Sequence, residues 1–485
     1  MRALGETVMT QVNDMPNGRE AAVADAAAMV SDGRFFEIMR KRLAIPTESQ
    51  NAERLPDLYR YLREEIGPAL EELGFTWRIR DNPVEGGGPF LIASRHEADD
   101  LPTVLGYGHG DVVRGIPELW RKGLDPWTLT AEGERWYGRG IVDNKGQHSI
   151  WIASLGIVLK TRGRLGFNAK FVIETSEEIG SVGLDVLLET EAEALACDVL
   201  VASDGPRLVR DKVDIKLGNR GSVAFDLRVK LREGSRHSGH WGGVLEDPGL
   251  ILAHALASIT TPRGKILVED WLPKSVPPKV TQALKGILVD PSDPTLVMPD
   301  DWGEASLSRP EKMYGWTSFI VLAYVTGAPD KPINGVQPDA YARCQIRYTV
   351  DADETRFIPA LREHLDRNGF TQVEIANLPK NRFPAWRTDP DNPWVDRVMK
   401  SVGRTIGYAP TLMPNSSGGL PSEIFARHLN CPVIWIPHSY GGSKQHGPDE
   451  HMLEPIAREG LSIMAGLFWD IGTEVLGEEA GNDRP

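Results

Sequence analysis

The chain has 485 residues, of which 41% are hydrophobic and 25% are charged, so it can form more than one domain around a large buried core. Its net charge of −14 argues against nucleic acids and anionic membranes as partners, because both bind basic surfaces. We expect neither a membrane span, which needs roughly 20 apolar residues, nor an N-terminal secretory signal.

The three cysteines are widely separated and lie in apolar runs. Cys197, Cys344 and Cys431 are therefore predicted to be unpaired core residues, as is usual in a reducing compartment. This pattern favours a cytoplasmic protein. Residues 1–30 are predicted to be a disordered lead-in.

Helices and strands alternate along the first part of the chain. Apolar residues recur at helical spacing in some segments and form short apolar runs in others. The predicted helices are Gly33–Leu43, Leu55–Leu73 and Asn144–Lys160, and the predicted strands are Thr103–Gly108, Ala169–Glu174 and Val199–Ala202. This alternation predicts an α/β fold whose mostly parallel sheet has helices on both faces.

The middle of the chain has a different pattern, in which strands alternate between apolar and polar residues. The predicted strands are Ser222–Leu231, Tyr341–Val350 and Gln372–Ala376, and the predicted helices are Pro248–Ile259 and Glu354–Asn368. Such a pattern predicts a small α+β, ferredoxin-like unit with one solvated sheet face. The segment Lys265–Pro332, rich in Pro, Asp and Trp, is not assigned.

The α/β pattern resumes after Trp386, with a predicted helix at Pro393–Ile406 and a predicted strand at Pro432–Pro437. We therefore predict a discontinuous catalytic domain, formed by residues 31–216 and 386–485. Residues 217–385 are predicted to be an inserted domain.

Acidic and imidazole side chains follow the ends of separate predicted strands. They are His109, Asp111, Asp143, Glu177, Glu178, Asp204 and His446. Open α/β sheets bind ligands at the carboxyl ends of their strands, so these groups are predicted to converge in one crevice. Taken singly, each has a simpler interpretation: an Asp after a strand usually caps a helix, and a Glu-Glu pair usually faces solvent.

Two histidines together with carboxylates form a ligand set that suits zinc, with cobalt or manganese as alternatives. A single catalytic zinc needs only three protein ligands. The seven residues fall at five separate positions in the chain, and candidate ligands at five positions indicate two metal ions that share one carboxylate.

Eight segments of the chain, in order, resemble one family. They are GHGDVV, WYGRGIVDNKGQ, ETSEEIGS, ASDGP, NRGS, RHSGHWGG, SSGGLPSE and QHGPDEH, and they span residues 106 to 451. The sequence resembles the dinuclear zinc metallopeptidases that include acetylornithine deacetylase, succinyl-diaminopimelate desuccinylase, carboxypeptidase G, aminoacylase and carnosine-type dipeptidases. The insertion after Lys265 and the chain length are more similar to the dipeptidases.

The resemblance implies an amide- or peptide-bond hydrolase acting on a small carboxylate-bearing substrate through a metal-bridged water. It implies that His109 and Asp204 bind one metal, that Glu178 and His446 bind the other, and that Asp143 bridges them. It also implies that Asp111 orients His109, that Glu177 is the general base, and that the Asp143–Asn144 peptide is cis.

The resemblance further implies that the inserted domain is a lid that forms a homodimer. His237 would reach the partner's active site and stabilise the oxyanion. Substrate contacts would come from Asn334, Arg347, Gly418 and Gly419, with Arg347 suited to a carboxylate by its bidentate geometry. His438 is a further candidate for substrate contact, whereas His148 is predicted to pack beneath the site.

Some residues depart from the family pattern and leave alternatives open. Ser235 stands where many relatives have Asp, and Asn381 or Arg382 stands near a position where carnosine-type dipeptidases carry a histidine. An N-acyl or N-carbamoyl amino acid amidohydrolase is therefore an alternative to a dipeptidase, and a non-catalytic scaffold that has lost its metals is a second. The sequence contains no GxSxG, P-loop or GxGxxG pattern where such chemistry needs one.

Overall fold

The computed structural model describes residues 18–289, 296–378 and 382–475. The α-helices in these residues are α1 (Gly18–Ser31), α2 (Arg34–Leu43), α3 (Leu55–Arg60), α4 (Gly67–Glu71), α5 (Lys145–Arg162), α6 (Leu184–Thr190), α7 (Ala192–Leu195), α8 (Ser238–Trp241), α9 (Pro248–Ile259), α10 (Pro278–Lys285), α11 (Arg309–Tyr314), α12 (Phe357–Arg367), α13 (Pro393–Ile406), α14 (Ser422–Leu429) and α15 (Glu454–Val475). None of them is both long and apolar enough to cross a bilayer.

The strands in the same residues are β1 (Thr76–Arg80), β2 (Phe90–Arg95), β3 (Thr103–His109), β4 (Thr130–Glu132), β5 (Arg135–Tyr137), β6 (Asn168–Glu174), β7 (Val199–Ala202), β8 (Asp214–Lys216), β9 (Gly218–Asn219), β10 (Gly221–Lys230), β11 (Arg236–His237), β12 (Ser318–Thr326), β13 (Gly335–Val336), β14 (Asp339–Tyr348), β15 (Glu374–Asn377), β16 (Trp386–Arg387), β17 (Thr411–Met413), β18 (Val433–Trp435) and β19 (His451–Leu453).

An eight-stranded sheet forms the framework for the candidate site, in the order β1-β2-β6-β3-β7-β18-β8-β17. The central neighbours β6, β3, β7 and β18 run parallel, and β1 and β2 are added antiparallel at one edge. The largest core cluster includes residues of α1, α2, α5, α13 and α15 together with this sheet, and a second cluster includes residues of α6 and α14. The predicted α/β fold with a mostly parallel sheet is confirmed.

The second sheet has four strands in the order β12-β14-β10-β15, and all its pairs are antiparallel. With α9 and α12 it follows the strand–helix–strand order of the predicted ferredoxin-like unit. Its core lies between the sheet and these helices, around Phe225, Trp271 and Leu361. Strand β14 alternates in burial as predicted, whereas the central strand β10 is buried almost throughout.

One part of the sequence prediction needs correction, and the structure assigns one segment that the sequence left unassigned. Residues 18–30 are helical rather than disordered, because α1 packs on α15 and Arg19 donates to both carboxylate oxygens of Asp470 at 2.7 and 2.9 Å. Residues 1–17 of the predicted lead-in lie outside the described residues. The unassigned segment Lys265–Pro332 contributes α10, α11 and the edge strand β12.

The predicted burial of the cysteines is confirmed at two of the three positions. Cys344 and Cys431 are buried, Cys197 is half-buried, and all three are free thiols. The predicted boundary of the inserted domain, at residues 217–385, stays a prediction. It is compatible with the four-stranded sheet, whose strands all fall between residues 221 and 377.

Candidate functional site

The candidate site lies at the carboxyl ends of β6, β3 and β7, which are neighbours in the eight-stranded sheet. His109 is the last residue of β3, Glu177 and Glu178 begin a short 3-10 turn after β6, and Asp204 follows β7. Asp143 lies in the turn that precedes α5. Because parallel strands end at one edge of the sheet, residues far apart in the sequence meet there.

Five side chains form two groups that share Asp143: one group is His109, Asp143 and Asp204, and the other is Asp143, Glu178 and His446. His109 Nε2 lies 3.0 Å from Asp143 Oδ1 and 3.8 Å from Asp204 Oδ2. His446 Nε2 lies 3.0 Å from Asp143 Oδ2 and 3.0 Å from Glu178 Oε2. The potential ligand atoms within each group all lie within 4.8 Å of one another, and each oxygen of Asp143 faces a different group.

This donor set fits a pair of divalent cations. Two ligands of a tetrahedral zinc ion, each bound at about 2.0–2.2 Å, lie about 3.3–3.6 Å apart, close to the observed separations. Glu178 Oε1 is buried and has no hydrogen-bond partner in the described part of the chain. An oxygen that binds a metal ion would lack such a partner when the ion is absent. His109 is fully buried, whereas the side chain of His446 is 58% exposed, so solvent reaches the group on that side.

The pKa values of four of these groups are shifted because the groups are buried close to one another. Burial raises the pKa of Asp204 to about 6 and also raises that of Glu178. Burial acts in the same direction on Asp143, but its hydrogen bonds with His109 and His446 outweigh this and lower its pKa. Hydrogen bonds to Asp143 and Glu178 raise the pKa of His446 to about 10. A cation that binds here therefore displaces protons.

The Asp143–Asn144 peptide is cis, as predicted. Next to it, Asn144 donates through Nδ2 to Ser203 O at 2.8 Å, which links the Asp143 turn to the loop that carries Asp204. His148 is fully buried, with Nε2 2.6 Å from Tyr61 Oη and Nδ1 3.1 Å from Asn144 Oδ1, which is compatible with its predicted position beneath the site.

Asp111 lies beside the ring of His109, as the resemblance implies, and its closest contact with the ring is made by the main chain. His109 Nδ1 lies 3.0 Å from the main-chain oxygen of Asp111, whereas the nearest carboxylate oxygen is 3.5 Å away. That carboxylate accepts hydrogen bonds from the main-chain N–H groups of Glu177 and Glu178, at 3.2 and 3.1 Å. Asp111 thereby holds the ring of His109 and the turn after β6 together.

Glu177 lies next to the two groups without belonging to either. Burial raises its pKa well above the usual value; His109 opposes this shift, whereas Asp204, Asp143 and Glu178 add to it. A carboxylate with a raised pKa beside a candidate metal centre is suited to accept and return a proton.

Sequence analysis missed a supporting pair, Arg139 and Glu450. Glu450 is fully buried and accepts hydrogen bonds from Arg139 Nη1 at 2.7 Å and from the main-chain N–H groups of Gly140 and Val142 at 2.9 and 3.1 Å. Arg139 also donates to Gly447 O at 2.9 Å. The pair therefore joins the loop before Asp143 to the loop after His446.

The remaining predicted residues lie apart from the five. His237 is exposed on β11, accepts a hydrogen bond from Gly239 N, and stacks on His240 with ring centroids 4.5 Å apart. Asn334 immediately precedes β13, which pairs with β11, and its main-chain oxygen accepts from Ser238 N at 3.0 Å. Arg347, on β14, donates to Gln345 Oε1 at 3.2 Å. In the described part of this chain, none of these contacts reaches the five side chains.

A cavity of about 320 Å³ is lined by the residues that follow Asp204 in the sequence and by other segments of the chain. It is lined by residues 205–208, 314, 413 and 416–420 together with Lys216, so the predicted substrate contacts Gly418 and Gly419 are on its wall. His438 is fully buried and is not part of this wall, so the prediction that it contacts substrate is not supported here. Arg382 is paired with Glu354, and Asn381 lies outside the described residues.

Comparison with known proteins gives a consistent result. Residues 105–470 match the model of "Peptidase family M20/M25/M40". The Beta-Ala-His dipeptidase of Mus musculus is 36% identical over 412 residues, covering 81% of each chain, and the Cysteinylglycine-S-conjugate dipeptidase of Corynebacterium striatum is 25% identical over 418 residues, covering 82% and 87%. The crystal structure of human carnosine dipeptidase 1 superposes with a TM-score of 0.70 at 22% identity, covering 94% of this chain and 99% of that chain.

The family match covers well over half of the chain, and the mouse relative exceeds 30% identity over most of its length. The structural likeness, at lower identity, supports the same fold. The chain therefore belongs to peptidase family M20/M25/M40 and is a metallopeptidase.

Proposed function

We propose that this enzyme hydrolyses the peptide bond of dipeptides with two metal ions held by the five side chains. The observation that carries the proposal is the pair of ligand groups that share Asp143, with Glu177 beside them. Relatives from a mouse and a bacterium are both named as dipeptidases, which supports a dipeptide as substrate. Zinc suits the mixed imidazole and carboxylate donors, and cobalt or manganese are the alternatives.

Glu177 and Arg347 have distinct roles in the proposed reaction. When bound, a pair of divalent cations lowers the pKa of water from near 16 towards about 7. Glu177 accepts a proton from the attacking water as the water oxygen bonds to the peptide carbonyl carbon. As the carbon–nitrogen bond breaks, Glu177 returns that proton to the leaving amine. Arg347 would hold the substrate carboxylate through paired hydrogen bonds.

A substrate panel tests this proposal. We expect dipeptides to be hydrolysed with kcat/KM about 10- to 100-fold higher than N-acetyl, N-succinyl or N-carbamoyl amino acids, because both named relatives are dipeptidases and an acyl group lacks the amino group and side chain of an N-terminal residue. The measurement is steady-state kinetics on zinc-loaded enzyme with matched amino acids in the leaving position. Faster hydrolysis of the acylated amino acids would instead support the amidohydrolase alternative.

We further propose that the enzyme is a homodimer formed through β12. This strand is at the edge of the four-stranded sheet and exposes apolar side chains, with Ile320 at 42%, Leu322 at 52% and Val325 at 45% exposure. An uncovered apolar edge strand is a surface for pairing with another strand. A second copy would cover it, and His237 of the partner subunit would then complete each active site by stabilising the carbonyl oxygen as charge develops there.

Subunit complementation tests the role of His237. We expect Glu177→Gln and His237→Ala homodimers each to have very low activity. After equal mixing and subunit exchange, activity should rise to about one quarter of wild type, because half of the dimers are mixed and each mixed dimer has one intact site. Activity that stays low in a mixture shown to contain mixed dimers would mean that His237 does not act across the dimer.

We propose a cytoplasmic location as well. The free thiols of Cys197, Cys344 and Cys431 support it, because disulfides are rare in reducing compartments. Fluorescence microscopy of the tagged protein, alongside fractionation, would test this location directly.

A further inference from the structure

We propose that the cavity beside Asp204 binds a carboxylate on the substrate side chain, and that Lys216 is the residue that selects it. This inference rests on the proposed dipeptidase function and specifies its substrate class: dipeptides with an acidic side chain. The cavity is defined by the wall described above, and it adjoins the candidate metal centre because Gly205 follows Asp204 directly.

Lys216 is a buried cation at this wall. It is the last residue of β8, and only 6% of its surface is exposed. Its Nζ donates to Pro206 O at 2.5 Å, which uses one of three donors. The Nζ atom also lies 3.5 Å from the position that a Cβ on Gly205 would occupy, so it reaches the chain segment that follows Asp204.

The other charged residue of the wall is also a cation. Arg207 is 3% exposed; it pairs with Glu459 at 2.5 Å and donates through Nε to Pro437 O at 3.2 Å. Its Nη2 atom is buried and has no hydrogen-bond partner in the described residues. The wall contains no Asp or Glu, so its charged groups are all positive.

A buried ammonium group is stable only when its charge is balanced. The nearest acidic residue on the same strand is Asp214, whose Oδ1 accepts from Leu208 N at 2.8 Å and whose Oδ2 has no partner in the described part of the chain. No ion pair between Asp214 and Lys216 lies within 4.0 Å among the described residues. A substrate carboxylate in the cavity would take the two unused donors of Lys216 in charge-assisted hydrogen bonds.

The remainder of the wall suits the carbon chain of such a residue. Leu208, Met413 and Leu420 offer apolar surface, and Ser416 and Ser417 offer hydroxyl groups. A cavity of about 320 Å³ lies in the size range of small-ligand sites. An aliphatic side chain would fit the apolar surface but would leave two donors of the ammonium unused.

The test compares acidic dipeptides with their amide counterparts, using zinc-loaded enzyme. We would measure kcat and KM for Glu-Ala against Gln-Ala and for Ala-Glu against Ala-Gln. At the position that enters the cavity, wild type should prefer the acid by about 10- to 100-fold in kcat/KM. In Lys216→Met this preference should fall to near unity through a higher KM for the acid, while the amide values change little.

Two further variants keep the test decisive. Lys216→Arg retains the charge and should retain the preference for acids. Lys170→Met is a matched control, because Lys170 also extends from a strand and donates to a main-chain oxygen, that of Ala196 at 2.7 Å, but lies outside the cavity wall. This control should keep the wild-type preference.

Three results would overturn the inference. Equal or faster hydrolysis of the amides at both positions would show that the cavity does not select acids. A preference that survives in folded Lys216→Met would assign the selection to another residue. If N-acyl amino acids are hydrolysed and no dipeptide is, the proposed function fails, and this inference fails with it. The first two results differ from this one, because in them dipeptides are hydrolysed and only the inference fails.

Discussion

Replacing Glu177 with glutamine is expected to lower kcat by about 1,000-fold while both metal ions stay bound. The variant keeps the size and polarity of the side chain but cannot accept the proton of the attacking water. Because Glu177 belongs to neither ligand group, the metal content should remain that of wild type. Steady-state kinetics and elemental analysis of the same sample measure both quantities.

Glu174 provides a matched control for this variant. Its carboxylate is also buried near the site, where Oε1 accepts from Tyr107 Oη at 2.7 Å and from Ser181 Oγ at 3.0 Å. The amide oxygen of glutamine can accept both bonds, so Glu174→Gln should retain most of the activity. Near wild-type kcat in Glu177→Gln would remove the proposed proton transfer.

Replacing Asp143 with alanine is expected to have the largest effect on metal content. Asp143 is the only residue common to both ligand groups among the described residues, so its loss removes one donor from each. We expect Asp143→Ala to bind well under one equivalent of zinc after dialysis and to have no measurable peptidase activity.

His446→Ala is the comparison that tests whether Asp143 is shared by two metal ions. This variant removes a donor from one group and leaves His109, Asp143 and Asp204 in place, so it should retain about one equivalent of zinc. If Asp143→Ala and His446→Ala retained the same amount of zinc, Asp143 would not bridge two ions.

The five candidate ligands were predictable because of where each stands in its local sequence. Each follows a recognisable strand or opens a helix, and parallel strands bring such ends together whatever the sequence distance between them. His237 and Arg347 lie on β11 and β14, away from the strand ends of the large sheet, so the order of strands in the sequence does not place them beside the five ligands.

The elements that were missed lack a clear local signal. Helix α1 is rich in alanine, so its apolar periodicity is weak, and its position depends on Arg19 and Asp470, which are 451 residues apart. Strand β12 is a continuous apolar run, which is typical of a strand, but it lies within the Pro-, Asp- and Trp-rich segment that the sequence leaves unassigned. Lys216 is a lysine buried in a strand, where lysine is seldom found.

The role of Glu450 was hidden for a related reason. Its carboxylate bonds to main-chain N–H groups and to Arg139, and sequence patterns report side-chain character without showing such distant main-chain partners. The residue stands four positions after His446 in QHGPDEH, so an acidic residue close to a candidate ligand was the available signal.

Strand β18 lies between β7 and β8 in the large sheet, although more than 200 residues separate it from either in the sequence. The sheet is therefore incomplete until β18 has left the ribosome, and His446 and the Glu450–Arg139 link follow it. A polypeptide that is interrupted before β18 has neither the finished sheet nor both ligand groups. The second ligand group, and with it a complete pair of candidate metal sites, therefore forms only after residue 446 has been synthesised.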